Sequence, residues 1–504
     1  MNKKDHTCKH LINSFLTDEE IWRAVSIYNS DYRLDEIITL LKDVEKQVRF
    51  VGVLGSGMLP LALILRERGY QISGYDRVTD STLSPSIEAR HSLSPIDQLR
   101  NAGVDLCSHE NVDWATVGLA VYSLAIDEND EEILAAKSKG IPLISRAQLL
   151  GALMSEAKTR ISVSGSHGKS TTTAIIDHIL TYANKSHTTV SGASLSSGAT
   201  YSLGSGEIFL AEACEYKDSF LRLCPTHQII TSVELDHTDY FPTLEAYRSS
   251  FVTAARRADI TLINRDDKIA SGIADEMKQE ADFLSRRIVT YGESRESDYR
   301  FHIKEIRDGI TYFEVISGNQ AYQLETTLMG RFNVSNITAA VALSDLLGVA
   351  YESVKEATAT FRSIDRRLTK IASIGKVSVY YDYAHHPTEI EAVITSLKER
   401  YGTVAVIFRP HTYSRTFSLW DGFIRSLSKA DFTILLDIYP AREKELDGVN
   451  SKRLAQEMTN AVYTDALGAV DLAIKSGCRV IALLGAGDVE TVKQKFIFLG
   501  KRDK

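Results

Sequence analysis

The sequence contains no long uninterrupted apolar run, and a membrane-spanning helix would require about twenty consecutive apolar residues. Its first residues, MNKKDHTCKHLINSF, lack the apolar block of a secretory signal peptide. Paired cysteine spacings are also missing, which argues against a disulfide framework and for a reducing compartment. The five cysteines are Cys8, Cys107, Cys214, Cys224 and Cys478. Together these absences predict a cytoplasmic protein without membrane insertion.

Positive charge is not in excess either. Lysine and arginine number 58 against 66 aspartates and glutamates, and the resulting net charge of −8 disfavours nucleic acid as the main partner. Hydrophobic residues at 44% and charged residues at 25% are typical of globular proteins. A chain of 504 residues is too long for a single hydrophobic core, so we expect three or more domains.

The N-terminal segment, residues 1–47, is predicted to be helical. Within LDEIITLLKDVEKQV the apolar residues recur at helical spacing and therefore share one face. These residues are Leu34, Ile37, Ile38, Leu41 and Val44. We expect this apolar face to pack on the body of the protein, and a face that binds a partner protein is the alternative.

A glycine turn follows in VRFVGVLGSGMLPLALILRERGYQISGYD, which has the pattern strand, turn, helix, strand, acid. Gly52, Gly55 and Gly57 lie in the turn, and Asp76 follows the second strand. Glycines there allow backbone N–H groups to approach a diphosphate, but the spacing is not G-x-G-x-x-G. The pattern therefore predicts a diphosphate ligand without distinguishing NAD from a nucleotide sugar.

A second glycine turn, in RISVSGSHGKSTTTAIIDHIL, lacks the first glycine of the usual phosphate-binding loop, because Val163 occupies that position. Gly165 is the nearest glycine before the Gly168-Lys169-Ser170 sequence. A β-branched strand precedes the loop and a helix follows it, which is the context that phosphate binding requires. We expect Lys169 to reach terminal phosphates and the Ser170 hydroxyl to bind magnesium. A glycine turn with a surface lysine is the disfavoured alternative.

Acidic residues follow the next two predicted strands. Ligands collect at the carboxyl ends of parallel strands, and Mg²⁺ prefers carboxylates together with phosphate oxygens. These two strand ends therefore indicate magnesium positions, although His237 fits a hydrogen-bonded strand-end histidine equally well. The residues at these ends are Glu212, Glu215, Glu234, Asp236, His237 and Asp239.

Seven motifs then occur in a fixed order between Val48 and Val489: SGSHGKSTTT, EACEYKDSF, VELDHTDYF, GRFNVSNITAA, DYAHHPTEI, RPHTYSRT and LLGAGDV. This set resembles the Mur ligases, whose phosphate loop is the short form Gly-x-x-Gly-Lys-Ser/Thr. The resemblance implies an α/β protein of three domains. These would be a Rossmann-like UDP-sugar domain at 48–154, a central P-loop ATPase domain with a mostly parallel sheet at 155–363, and a Rossmann-like C-terminal domain at 364–504.

The resemblance also implies the reaction and its participants. ATP and Mg²⁺ would be the cofactors, UDP-N-acetylmuramate and L-alanine the substrates, and an acyl phosphate the activated form of the sugar's lactyl carboxylate. The protein would be a monomer or weak dimer that contributes to peptidoglycan synthesis. Other readings stay open: a Mur ligase that adds another amino acid or a recycled peptide, or a nucleotide-binding relative without ligase activity. An NAD dehydrogenase is disfavoured because it leaves the ATP loop unexplained.

The residue roles that the resemblance implies fall into four groups. ATP would be bound by Gly165, Ser166, His167, Gly168, Lys169, Ser170, Thr171, Asn333, Asn336 and Asp382, with the two asparagines at the adenine and Asp382 at the ribose. Metal ligands would be Ser170, Glu212 and His237. Substrate would be bound by Gly55, Ser56, Gly57, Met58, Asp76, Glu215, His411 and Arg415. Lys169, His237, Arg366, Arg367, His386 and Arg415 would act in catalysis.

Four positions depart from the family pattern. Leu54 replaces a glycine of the first turn, and Cys214 stands where an aspartate is common. Phe332 and Tyr381 occupy positions where a histidine and an aspartate are frequent. These departures leave room for a relative with a changed substrate.

Overall fold

The structure is a computed structural model that describes residues 32–43, 45–77, 94–238, 240–279, 286–441, 443–485 and 489–502. The predicted helical segment before residue 32, Val44, Asp239 and residues 486–488 of the LLGAGDV motif lie outside the described residues. Within the described chain, no helix is both long and apolar enough to cross a bilayer.

The α-helices are α1 Leu34–Asp43, α2 Leu59–Glu67, α3 Pro95–Asn101, α4 Glu131–Ser138, α5 Arg146–Ser155, α6 Lys169–Tyr182, α7 Leu244–Ala255, α8 Lys268–Gln279, α9 Arg331–Leu346, α10 Tyr351–Thr360, α11 Pro387–Tyr401, α12 Tyr413–Ser418, α13 Trp420–Leu427, α14 Ser451–Gln456, α15 Ala466–Lys475 and α16 Glu490–Arg502. Short 3₁₀ helices span His109–Asn111, Trp114–Thr116 and Tyr216–Arg222.

The strands are β1 Gln47–Val51, β2 Ile72–Tyr75, β3 Asp105–Leu106, β4 Val117–Tyr122, β5 Leu143–Ser145, β6 Thr159–Ser164, β7 His187–Val190, β8 Tyr201–Ser202, β9 Ile208–Glu212, β10 His227–Ile230, β11 Ile260–Asn264, β12 Arg287–Gly292, β13 Tyr299–Arg307, β14 Ile310–Ser317, β15 Gln320–Thr326, β16 Thr369–Ile374, β17 Val377–Asp382, β18 Val404–Phe408, β19 Phe432–Leu435, β20 Ala461–Tyr463 and β21 Val480–Leu484.

The chain forms two compact units. Unit 1 contains the residues up to His302 together with Val315–Tyr322 and Asn336–Thr358. Unit 2 contains Ile303–Glu314, Gln323–Ser335 and Ala359–Lys504. Helix α1 belongs to unit 1, and the predicted burial of its apolar face is confirmed, because Ile37 and Leu41 are buried.

Unit 1 contains two parallel sheets. The first has the strand order β3-β2-β1-β4-β5, which is the Rossmann order that the resemblance implied. The second is larger and contains, in order, β8-β7-β9-β6-β10-β11-β12-β13, and among these strands only the β7–β8 pair is antiparallel. The strand order reverses beside β1 and beside β6, and both strands lead into the glycine turns that the sequence singled out. The predicted α/β class is therefore confirmed.

The sheet of unit 2 has the order β16-β17-β21-β18-β19-β20, with β16 antiparallel and the other pairs parallel. Asp382 at the end of β17 and Phe408 at the end of β18 both pair with Leu484 of β21. The loops that follow β17 and β18 therefore leave the same edge of the sheet, and these loops carry the DYAHHP and RPHTYSRT motifs.

A buried ion pair joins the first sheet of unit 1 to helix α4. Arg49 of β1 and Glu132 of α4 have fully buried side chains, and two guanidinium–carboxylate hydrogen bonds of 2.6 and 3.0 Å join them. The Arg49 guanidinium also donates to the Cys107 carbonyl at 2.7 Å. This geometry offsets the cost of removing both charges from water.

We expect Arg49→Met to lower the free energy of unfolding by about 3–5 kcal/mol, because Glu132 would remain buried without a partner. The double variant Arg49→Met/Glu132→Leu should recover most of that loss. Urea unfolding measures both. Arg68→Met is the matched control, since its pair with Glu156 is partly exposed and should contribute less than about 1 kcal/mol. Equal losses in Arg49→Met and Arg68→Met would contradict the buried pair.

Candidate functional site

The loop between β6 and α6 requires both of its glycines. Gly165 has φ 135° and Gly168 has φ 84°, backbone angles that side chains rarely tolerate. A Cβ atom on Gly165 would lie 2.1 Å from Thr231 Oγ1, and one on Gly168 would lie 2.7 Å from Asn336 Oδ1. The shortened loop is therefore held close to the end of β10 and to α9.

Helix α6 begins directly after this loop and has no side-chain N-cap. Along the described chain, the N–H groups of Lys169, Ser170 and Thr171 meet no hydrogen-bond acceptor. Free N–H groups in a first helical turn attract phosphate oxygens, because the helix dipole adds partial positive charge there. The loop therefore fits a polyphosphate chemically.

The residues after β10 hold the loop in place. Ser166 N–H donates to the Ser232 carbonyl at 2.9 Å, and His167 N–H donates to Ser232 Oγ at 3.0 Å. Ser166 Oγ donates to the Glu234 carbonyl at 2.8 Å, while His167 Nε2 lies 2.9 Å from Glu234 Oε2. The predicted VELDHTDYF segment thus positions the phosphate loop.

Lys169 is paired with Glu215 inside this loop. Its Nζ lies 3.0 and 3.1 Å from the two Glu215 oxygens and 2.5 Å from the Gly165 carbonyl, and the Glu215 side chain is only 1% exposed. Burial alone would lower the pKa of Lys169, but the nearby Glu215 carboxylate outweighs it and raises that pKa. Burial would raise the pKa of Glu215, whereas Lys169 and His237 bring it below its usual value. Both groups are therefore charged.

His237 approaches the same carboxylate. Its Nε2 lies 3.6 Å from Glu215 Oε1, and its ring lies 4.7 Å from the ring of Tyr216. Its φ of 54° lies in the left-handed region, which only a few per cent of residues other than glycine adopt, although histidine does so more often than most. Strain of this kind collects at functional sites, because the surrounding structure must impose it.

Glu212 ends β9 beside the loop, since it pairs in register with Val163 of β6. Its Oε2 accepts the Gly192 N–H at 2.8 Å, and a Cβ on Gly192 would lie 3.1 Å from that oxygen. Ser170, the second residue of α6, is buried. Carboxylate and hydroxyl oxygens next to a phosphate loop are ligands that Mg²⁺ prefers, so these residues fit a magnesium ion chemically.

The first glycine turn is organised by Asp76. The Leu54 N–H donates to Asp76 Oδ2 at 3.2 Å, so the carboxylate that was expected to bind substrate also holds the turn. Gly52 has φ 79°, which favours glycine at the start of the turn. Within the described residues, the Ser56 and Gly57 N–H groups have no acceptor. The turn can therefore offer these two donors to an anion.

In unit 2, the loop after β18 brings His411 and Arg415 together. Arg415 Nη1 lies 3.2 Å from His411 Nδ1, and the His411 ring stacks on Tyr439 with 5.7 Å between ring centroids. A guanidinium only donates, so His411 Nδ1 must accept and its proton resides on Nε2. His385 completes the group, with its ring 6.2 Å from that of His411.

Asp382 fixes the segment that enters the sheet of unit 2. Its two carboxylate oxygens accept the N–H groups of Leu368 and Ala384, each at 2.7 Å. Burial raises the pKa of Asp382 to about 6, with Arg367 opposing that shift. Arg366 and Leu368 have positive φ values of 62° and 49°, so this carboxylate stabilises a strained turn.

Three family descriptions match successive parts of the chain. They are the Mur ligase family catalytic domain at residues 47–158, the Mur ligase middle domain at 163–344 and the Mur ligase glutamate ligase domain at 366–489. The chain belongs to the Mur ligase family. The family that the motifs indicated is thereby confirmed.

Individual relatives of this Mur ligase agree with that assignment. A UDP-N-acetylmuramate–L-alanine ligase of Agathobacter rectalis is 34% identical over 465 residues, 89% of this chain and 97% of the relative. One from Caldicellulosiruptor bescii is 33% identical over 457 residues, 87% and 96% of the two chains. The crystal structure of the UDP-N-acetylmuramate–alanine ligase of Thermotoga maritima has 24% identity and a TM-score of 0.72, and covers 91% of this chain and 100% of its own. That likeness confirms the three-domain Mur ligase fold.

The other residues that the sequence singled out lie in separate places in this Mur ligase. His386 is buried at the N-cap of α11, and Asn333 Nδ2 donates to the Met329 carbonyl at 2.8 Å. Among the departures from the family pattern, Phe332 is exposed whereas Tyr381 is buried in the core of unit 2. Burial therefore raises the pKa of Tyr381 to about 12, and a carboxylate at that position would be strongly disfavoured.

Sequence reasoning missed Tyr247. Its hydroxyl lies 3.0 Å from Ser166 Oγ and 3.4 Å from Glu215 Oε1, and so joins the phosphate loop to the buried carboxylate. The residue belongs to α7, after the motif VELDHTDYF, and no spacing rule marks it. Its aromatic side chain is simply one of several apolar residues on the buried face of that helix.

His187 ties the phosphate-loop helix to the sheet. Its Nε2 lies 3.0 Å from Asp177 Oδ1 of α6, and its Nδ1 lies 2.7 Å from the Lys185 carbonyl. Each nitrogen must carry a proton to donate, so the two contacts favour the doubly protonated ring. Burial alone would lower the pKa of His187, but the bonds to Asp177 and Lys185 raise it overall.

Stability should consequently fall as pH rises. Because the folded pKa of His187 exceeds the unfolded value of about 6.5, its contribution is complete below that pH and is lost through the folded pKa. Urea unfolding between about pH 6 and 9 would measure the slope. His187→Gln should flatten that slope, whereas the control His178→Gln, which lies on α6 next to Asp177, should keep it. An unchanged slope in His187→Gln would contradict the assignment.

Proposed function

We propose that this Mur ligase joins L-alanine to the lactyl carboxylate of UDP-N-acetylmuramate and releases ADP and phosphate. The observation that carries the proposal is the phosphate loop, in which a charged Lys169 lies beside the free N–H groups of α6. The two alanine ligases, at 33% and 34% identity over nearly their whole length, support the choice of substrates.

The chemistry explains why such a loop is needed. A free carboxylate does not form an amide readily, because its oxygen is a poor leaving group. ATP and Mg²⁺, when bound, supply the phosphoryl group that turns the lactyl carboxylate into an acyl phosphate and the charge that lets two anions meet. The alanine amine then forms the C–N bond, and phosphate departs with the C–O electron pair.

Lys169 is the residue that we assign to the phosphates. Its three N–H donors now contact Glu215 and the Gly165 and Ser166 carbonyls. A polyphosphate would offer stronger acceptors than the two carbonyls, so the ammonium can turn toward it while Glu215 keeps it protonated. The remaining contacts would come from the loop residues Gly165, Ser166, His167 and Gly168 and from the first turn of α6.

Glu212 and Ser170 would hold one magnesium ion, and His237 would hold a second metal near the acyl group. Glu212 is already fixed by the Gly192 N–H, which limits its rotamers and prepares one oxygen for a ligand role. His237 is held near Glu215 by its strained backbone. The family resemblance supports this assignment.

We assign the residues of unit 2 to the amino acid. We assign Arg415 to the alanine carboxylate, since a guanidinium fork matches a carboxylate with two parallel hydrogen bonds. His411 orients that guanidinium through the 3.2 Å contact, and His386 would border the same pocket. Asp382, Arg366 and Arg367 would shape the entry to this domain.

The other assignments follow the family. Asn333 and Asn336 would border the adenine, and Asp382 would contact the ribose. The turn Gly55, Ser56, Gly57 and Met58 would bind the diphosphate of the UDP-sugar, with Asp76 beside it. Glu215 would act through Lys169, as its burial and ion pair favour, in addition to any contact with substrate.

The proposal predicts phosphate release only when UDP-N-acetylmuramate, ATP and L-alanine are all present. Lys169→Ala should reduce the rate about a thousandfold or more, because the transition state would lose a phosphate-binding cation. The same variant should still bind the UDP-sugar in a calorimeter. Lys185→Ala is the matched control, since that exposed lysine follows the other end of α6.

Near-normal phosphate release in Lys169→Ala would refute the phosphate-loop assignment. Activity with none of the amines tested, alongside tight ATP binding, would instead indicate a relative without ligase activity.

Arg415→Lys should raise the KM for L-alanine strongly while the affinities for ATP and UDP-sugar change little, because an ammonium cannot form the paired bonds of a guanidinium. Arg425→Lys, which changes an exposed arginine of α13, is the control.

L-Alanine should be preferred over glycine and L-serine by about 1–3 kcal/mol. A preference for a di- or tripeptide would favour a peptide-recycling ligase.

A further inference from the structure

Arg146 occupies a fixed place at the start of α5. The preceding residue, Ser145, forms a capping box with Gln148, in which each side chain accepts the other's backbone N–H, at 3.3 and 2.8 Å. Two reciprocal bonds define the direction in which the chain enters the helix. The backbone of Arg146 is therefore held rigidly at the carboxyl end of β5.

The side chain of Arg146 packs on Gly57 of the first glycine turn. A Cβ atom on Gly57 would lie 3.0 Å from Arg146 Cδ, 3.1 Å from Nη1 and 3.2 Å from Nε. Gly57 does not have a positive φ, so its backbone does not require glycine. The lack of a side chain at this position instead leaves room for the guanidinium beside the turn.

Arg146 also differs from other partly buried arginines of unit 1. Arg66 donates to the Ala102 carbonyl at 2.8 Å and Arg160 to the Cys224 carbonyl at 2.6 Å. Among the described residues, Arg146 forms no hydrogen bond or ion pair, although its side chain is partly buried. A partly desolvated charge without a partner is costly, so the arrangement suits an anionic ligand.

The turn supplies further donors next to this guanidinium. The Ser56 and Gly57 N–H groups point to no acceptor in the described chain, and Gly57 is the residue that Arg146 covers. The positive charge of Arg146 also opposes the rise in the pKa of the Cys214 thiol, two residues after β9. A ligand with several adjacent anionic oxygens could contact the Arg146 guanidinium and the Ser56 and Gly57 N–H groups together.

We propose that Arg146 binds the diphosphate of the UDP-sugar, together with the Ser56 and Gly57 N–H groups. This inference rests on the proposed function, which supplies the nucleotide sugar as ligand. A guanidinium can bridge two phosphate oxygens with paired hydrogen bonds, which also fixes the orientation of the sugar. Arg146 is thus a substrate-positioning residue that no family motif in the sequence identified.

Calorimetry with UDP as the probe tests this role in the full chain. Arg146→Met keeps much of the apolar stem and removes the charge, so it should weaken UDP binding about ten- to a hundredfold. The UDP affinity of Arg146→Lys should lie between those of the unmodified protein and of Arg146→Met. Lysine restores the positive charge but cannot form the paired hydrogen bonds of a guanidinium. ATP affinity and the midpoint of thermal unfolding should not change. Arg68→Met removes another guanidinium of unit 1, one that is paired with Glu156, and should bind UDP like the unmodified protein.

Steady-state kinetics give a second readout. Arg146→Met should raise the KM for UDP-N-acetylmuramate and leave the KM for ATP unchanged, which a general loss of structure would not do. Unmodified protein that fails to bind UDP would refute the UDP-sugar as substrate. UDP binding by the unmodified protein, with equal affinity in Arg146→Met, would overturn only the role of Arg146. If Arg146→Met fails to fold, UDP affinity in Arg146→Lys equal to that of the unmodified protein would also overturn it.

Discussion

The ion pair between Lys169 and Glu215 is the interaction on which the phosphate loop depends. A lysine buried in a loop of backbone carbonyls would lose its proton without a nearby anion, and a neutral amine could not attract a phosphate. Glu215 prevents this because it lies 3.0 Å away and is itself almost fully buried. The charge on each partner is thus maintained by the other.

This constraint extends into the surrounding structure. Glu215 must be delivered from the end of β9, and Tyr247 of α7 must approach both Glu215 and Ser166. The loop itself can pass the end of β10 only because Gly165 has no Cβ to collide with Thr231. Three elements of unit 1 are therefore fixed relative to one ammonium group, and a displacement of any of them would disturb its charge.

Much of this arrangement could be predicted from the sequence, because its signals are local. The β-branched strand, two glycines and the helix after Lys169 lie within one short segment, and the acidic strand ends follow from the rule for parallel sheets. Alternation of strands and helices was sufficient for the α/β class. The family motifs added the order of the domains.

Contacts between distant parts of the chain could not be predicted in the same way. Ser166 and Tyr247 are 81 residues apart, and Arg49 and Glu132 are 83 apart. Arg146 reaches the first glycine turn only because β5 and β1 belong to one sheet. Asp76 was expected to face substrate, and its bond to the Leu54 N–H depends on the exact path of the turn. No rule based on sequence spacing predicts contacts between side chains that lie so far apart along the chain.

Cys214 shows how a departure from the family pattern acts through the same electrostatics. Burial, with the neighbouring Glu215 charge, raises the pKa of this thiol above its usual value, so it is neutral near pH 7. An aspartate in its place would add a third carboxylate between Glu212 and Glu215. Repulsion among three such groups would favour protonation of one of them, or demand more metal charge. With cysteine, the two negative charges of the glutamates would face the three positive charges of one lysine and one bound divalent ion, so no further cation is needed. We infer that the neutral Cys214 avoids adding a third negative charge beside Glu215, so that Glu215 remains paired with the charged Lys169.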